Sequence, residues 1–118
     1  MRRLEFAPEA ERDIDALLIA SENRFGPAAA DRYRALLDAV FTDLCRDPQR
    51  PAARPREGLS GDLRFYHLKH AAKRLPARNR VSRARHLIVF RFDAERVEVV
   101  RVLHESMDLA RHLLGDEP

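Results

Sequence analysis

Two apolar runs near the C-terminal end, His86–Phe92 (HLIVFRF) and Val97–His104 (VEVVRVLH), are separated only by Asp93-Ala94-Glu95-Arg96. β-Branched and aromatic residues dominate both runs. With a four-residue connection between them, they read as a β-hairpin. A short polar phrase, Glu105-Ser106-Met107-Asp108, follows it and leads to Arg111, His112 and Leu113.

Upstream the spacing changes. Arg3–Phe6 predicts a short first strand. Ala7-Pro8 opens a helix, because the N–H that proline lacks is unpaired at a first helical position anyway. Glu9 and Glu11 fall in the first turn, where the helix dipole favours negative charge. Ala10, Ile14, Leu17, Leu18 and Phe25 follow helical spacing and make one apolar stripe. Gly26-Pro27 ends this helix and starts the next. Tyr33, Leu36, Leu37, Val40, Phe41 and Leu44 then recur at three- and four-residue steps until Asp47-Pro48. Amphipathic helices with so short a joint are antiparallel neighbours. Each has one apolar stripe, so the pair needs a third surface, and the downstream strands supply it.

Pro48–Asp62 holds Pro48, Pro51, Pro55, Gly58 and Gly61 without apolar periodicity, and predicts a loop. Leu63–Leu68 predicts a strand. His70–Arg85 is strongly basic and contains Pro76; a long hairpin loop and a short helical turn over Ala71–Leu75 both fit it. Links this long are uncommon in small domains and are often functional or disordered. The expected fold is α+β: an N-terminal strand and an antiparallel α-helical hairpin packed on a small, mainly antiparallel β-sheet. At 118 residues the expectation is one domain spanning 1–118, with a basic insertion near 71–85. A chain of this length buries roughly two-thirds of its unfolded surface, enough for a core without staples.

The first residues turn acidic too quickly for a secretory signal. No run of about 18 apolar residues exists, so no membrane span is expected. Cys45 is the one cysteine, which rules out an internal disulfide and fits a reducing compartment. It reads as a small apolar residue late in the second helix. A cytoplasmic protein is the expectation.

Charge is unevenly placed. Between Leu63 and Phe92 stand nine Lys/Arg and no Asp or Glu, whereas Glu5, Glu9, Glu11, Asp13 and Asp15 crowd the first half. Such a field attracts polyanions or an acidic partner chain; a solvated basic face is the competing reading. Arg64, Lys69, Lys73, Arg74, Arg78, Arg80, Arg83 and Arg85 are candidate phosphate contacts. Only Phe65 and Tyr66 interleave with them, which argues against stacking on single strands. His67, His70, His86, His104 and His112 show no ligand spacing and no accompanying Cys pair, so neither a metal nor another cofactor is expected. His104 is placed like a general acid or base, but a structural hydrogen bond closing the tail onto the sheet explains it as well. Arg101 lies inside an apolar strand. It needs a partner, Asp108 or a helix carboxylate, because an unpaired buried charge costs several kcal/mol.

Several phrases, in order, resemble the RelE/ParE toxin superfamily. They are Pro8-Glu9-Ala10-Glu11-Arg12-Asp13-Ile14, Arg24-Phe25-Gly26-Pro27, Gly61-Asp62-Leu63-Arg64, Arg85–Arg91, Arg101-Val102-Leu103-His104, Met107-Asp108 and His112-Leu113. The basic stretch from about Ala71 to Ser82 is longer than the usual link. RelE-like members cut mRNA in the ribosome, whereas ParE-like members poison DNA gyrase. The cleaving branch typically carries an arginine in a His-Arg-Leu-Val-Tyr-like phrase; here the phrase is His86-Leu87-Ile88-Val89-Phe90, with Leu87 at that position. Leucine cannot stabilise charge building on a phosphate. The resemblance therefore favours the ParE branch: a type II toxin that binds gyrase and is neutralised by a cognate antitoxin, whose C-terminal region crosses the toxin, often with a helix in a groove. It also allows a homo-oligomer assembled through the antitoxin complex. The expected partner-binding residues are Arg64, Lys69, Arg83, Arg85, His104, Met107 and Asp108, with no catalytic residue. The alternatives are an mRNA endoribonuclease using His104 with Arg85 or Arg91, and a non-toxic interaction module.

Overall fold

Proline and glycine place the helical hairpin. The computed structural model describes residues 1–55, 62–81 and 83–107. A first strand, β1 (Arg3–Phe6), leads into helix α1 (Pro8–Phe25), and helix α2 (Pro27–Arg46) follows at once. The joint is Gly26 alone, at φ +94°, a conformation that side chains with a Cβ resist; its N–H donates to the Glu22 carbonyl at 2.8 Å. Of the α2 stripe, Leu36, Val40 and Leu44 are fully buried. Phe25 corrects the expectation for α1. It closes the stripe in sequence, yet it is 70% exposed, with the Arg24 guanidinium 5.4 Å above its ring.

The remaining elements are β2 (Arg54–Pro55), β3 (Arg64–His67), the one-turn helix α3 (Lys69–Ala72), a 3₁₀ turn at Ala77–Asn79, β4 (His86–Phe92) and β5 (Arg96–His104). The stretch expected to be loop from Pro48 thus contains a two-residue edge strand, β2, and part of that stretch lies outside the described residues. The sheet order is β1-β5-β4-β3-β2. All pairings are antiparallel except β1 with β5, which is parallel and sets Leu4 against Val97.

The β4–β5 hairpin carries a bulge. Val89 pairs with Arg101 and Phe90 with Val99, leaving Val100 as the extra residue. In a regular strand, residues three apart face opposite sides. The bulge lets Val97, Val99 and Val102 all join the core beneath the helices, with Tyr66, Ile88 and Phe90. A second apolar cluster gathers Phe65, Leu87, Val89 and Leu103, so the central strands carry buried hydrocarbon on alternate residues of both faces.

The basic connection is braced rather than loose. Asp43 of α2 is 6% exposed and accepts hydrogen bonds from the Arg74 guanidinium, while Arg50 lies at 3.4 Å. Ala71 is fully buried, and Leu75, Val81 and Ala84 pack on the core. Arg80 donates to the Lys73 and Leu75 carbonyls at 3.2 and 3.0 Å. Asp43→Ala is expected to cost about 1–2 kcal/mol in urea unfolding and to speed tryptic cleavage at Lys73 and Arg78, because two guanidinium groups lose their anchor. Unchanged cleavage would show that the brace is immaterial.

Candidate functional site: the polar end of the central hairpin

Where β4 begins and β5 ends, His86 and His104 are cross-strand partners with ring centroids 5.2 Å apart, edge to face. Tyr33 reaches them from α2. Its hydroxyl accepts the Arg85 N–H at 3.2 Å and lies 2.6 Å from His86 Nδ1. Tyr33 and His86 are thus joined by a phenol–imidazole hydrogen bond whose direction follows the His86 tautomer. Burial, followed by the nearby His104, pushes the His86 pKa down to about 4. Burial also raises Tyr33 above its ordinary value.

Two further rings at this end are held by backbone N–H groups. His67 Nδ1 accepts the Lys69 N–H at 3.0 Å, so its Nε2–H faces Glu105 Oε2 at 3.2 Å. The Glu105 carboxyl is held below the usual range by His67 first and then by Arg85, whose guanidinium lies at 3.4 Å. His104 Nδ1 accepts the Ser106 N–H at 3.1 Å and lies 2.7 Å from the Ser106 hydroxyl. The Glu105 N–H donates to the Arg85 carbonyl at 2.8 Å, and the Met107 N–H to the His104 carbonyl at 3.0 Å. The start of the tail is therefore folded back onto β4. Among the described residues no three His, Cys, Asp or Glu side chains are grouped to hold a metal ion.

At the outer edge of β5 stands a second polar knot. β1 stops opposite Val99, which leaves the edge beyond it open. Asp13 of α1 fills the gap. Its carboxylate accepts the Val102 N–H at 3.0 Å and holds the Arg101 guanidinium by two bonds of 2.7 and 3.0 Å. Arg101 thus pairs with a helix carboxylate.

A family described as the ParE toxin of type II toxin–antitoxin systems, parDE, matches residues 4–109. The chain belongs to that family. Toxin ParE1 of Caulobacter vibrioides is 27% identical over 113 residues, spanning 96% of this chain and 99% of the relative. Among solved structures, the chromosomal ParDE toxin–antitoxin system from P. aeruginosa matches with a TM-score of 0.64 at 18% identity, over 88% of this chain and 96% of that one. The E. coli DinJ–YafQ toxin–antitoxin complex gives 0.50 at 11% identity, over 97% and 98%. These two likenesses describe the fold.

In this ParE-family chain the residues singled out in the sequence do not form one patch. Lys69, Arg85, His104 and Met107 lie around the His86–His104 end; Arg83 is exposed shortly before β4. Arg64 lies at the other end of β3, paired with Phe90. Its guanidinium donates to the Ala53 carbonyl at 2.8 Å and sits 5.6 Å from the Phe92 ring centre. Arg91 pairs with Glu98 at 2.6 Å, five residues along β4 from His86 and so on the order of 17 Å away. Asp108 and His112 lie outside the described residues. No helix of the described residues is long and apolar enough to cross a membrane. Sequence reasoning missed Tyr33, which looked like one more core position of α2, and Glu105, which looked like tail. The signal for Tyr33 was available: a phenol in an otherwise hydrocarbon stripe, whose hydroxyl needs a partner when buried.

Proposed function

We propose that this ParE-family toxin acts by docking onto DNA gyrase in the cytoplasm, without cutting a substrate itself, and that a cognate antitoxin neutralises it by covering apolar and basic surface. The observation that carries this reading is Leu87. At the position where the cleaving branch has an arginine, a leucine 7% exposed packs with Phe65, Val89 and Leu103. No developing phosphate charge finds a counter-charge there. The substitutes are poorly placed: Arg91 is at the far end of the strand, and Arg85 is already engaged by Glu105. His104 faces a neutral His86 and its own tail serine.

The partner-facing region is assigned to Lys69, Arg83, Arg85, His104 and Met107, which is 40% exposed, with Asp108 adjoining in sequence. Ile19 and Phe25, at 59% and 70% exposure on α1, offer apolar anchors for the antitoxin. The antitoxin in turn supplies the contacts by which toxin copies gather in a larger complex. Purified toxin added to a gyrase supercoiling reaction is expected to reduce supercoiling or trap cleaved DNA, and pre-incubation with antitoxin to abolish that effect. Cleavage of mRNA on programmed ribosomes, with supercoiling untouched, would reverse the assignment in favour of a nuclease. Inactivity in both assays would favour an interaction module.

A further inference from the structure

We infer that the basic connection between α3 and β4 is a docking surface for the phosphate backbone of double-stranded DNA, contacted by Lys69, Lys73, Arg78 and Arg83. The surface shares Lys69 and Arg83 with the partner-facing region proposed above, but its ligand is a nucleic acid held directly by this chain.

Three observations carry it. The first is unneutralised charge. From Leu63 to Phe92 the chain has no carboxylate of its own. Arg74, Arg85 and Arg91 are engaged by Asp43, Glu105 and Glu98 from elsewhere. Lys69, Lys73, Arg78 and Arg83 are exposed and have no carboxylate partner among the described residues.

The second is support. The Arg74–Asp43 pair, the buried Ala71 and the two carbonyl bonds of Arg80 tie this connection to α2 and to itself. The exposed cations therefore stand on a braced base, and less conformational freedom is lost when they meet a ligand.

The third is the choice of polyanion. A peptide partner needs apolar anchors, and here Leu75, Val81 and Ala84 are turned into the core. A single strand needs aromatic platforms, and the nearby Phe65 and Tyr66 are buried. Duplex DNA needs neither, because its backbone is gripped by cations alone. Glu9, Glu11 and Asp15, exposed on the first turns of α1, would repel DNA from that helix.

The test is fluorescence anisotropy of the full chain with a labelled 30-base-pair duplex between about 50 and 200 mM salt. Four phosphate contacts predict about 100-fold weaker binding across that range. The Lys73→Gln/Arg78→Gln/Arg83→Gln variant should bind more weakly at low salt and lose only about 3-fold across the same range, with an unchanged thermal melt. Wild-type salt dependence in this variant, tighter binding to single strands than to duplex, or a loss confined to antitoxin binding would each overturn the inference. Supercoiling inhibition is read on the same preparations. If wild-type protein grips duplex in this way without inhibiting gyrase, the gyrase reading fails and this one stands; inhibition without duplex binding has the opposite meaning.

Discussion

Asp13→Ala is expected to destabilise the protein by about 3 kcal/mol, roughly the cost of removing one partner from a largely buried ion pair. The carboxylate does more than balance charge. Its side chain is 16% exposed and that of Arg101 22%, and it also serves the Val102 N–H at the open edge of β5. Alanine leaves a guanidinium among hydrocarbon and a backbone donor without its acceptor. Urea unfolding at neutral pH measures the loss. The Asp13→Ala/Arg101→Met double variant should recover a substantial part of it, because the uncompensated charge is then gone while the unpaired N–H remains. If the double variant is no more stable than Asp13→Ala, the penalty does not lie in the stranded charge.

Acid is expected to weaken the fold through His86. In the folded chain its pKa is about 4, set first by burial, then by repulsion from His104 and His67, with Glu105 and Asp13 opposing. In the unfolded chain a histidine titrates near 6.5. The folded state thus holds the neutral ring, and the unfolded state takes up a proton first. The contribution of His86 is fully present above about pH 6.5 and is lost as the pH falls from there through 4. The difference corresponds to at most about 3 kcal/mol, less in practice because the ring is partly exposed. Denaturant midpoints at pH 7, 5.5 and 4 should fall steadily in the native chain and less steeply in His86→Gln. Parallel decline in the two proteins would assign the acid sensitivity to other groups.

The local elements were legible because each was written in a short-range code. Pro8, Gly26-Pro27 and Asp47-Pro48 fixed where the helices start and stop, and the α2 stripe fixed the face of that helix. The hairpin was visible in its branched residues. What escaped depended on partners far away in the chain. The bulge at Val100 has no local signature, yet it decides which valines reach the core. β2 is too short for any pattern to reveal. Phe25 fits the helical period but lies past the last packed turn of α1, so it ends in solvent. At the polar end, the His104 region was visible as a phrase; its wiring through Tyr33 and Glu105 spans separations of 53 and 38 residues.

The parallel pairing of β1 with β5 also sets an order of events. Among the described residues, 3–6 pair with the strand at residues 96–99 alone. A nascent chain that has emerged as far as the basic connection has its helices but nothing for its first strand to lie against. Closing so distant a contact is slow and comes late. Translation that stalls before the final strand leaves β1 without its partner and β4 with an open edge, so a truncated copy of this toxin lacks the sheet that joins its two ends.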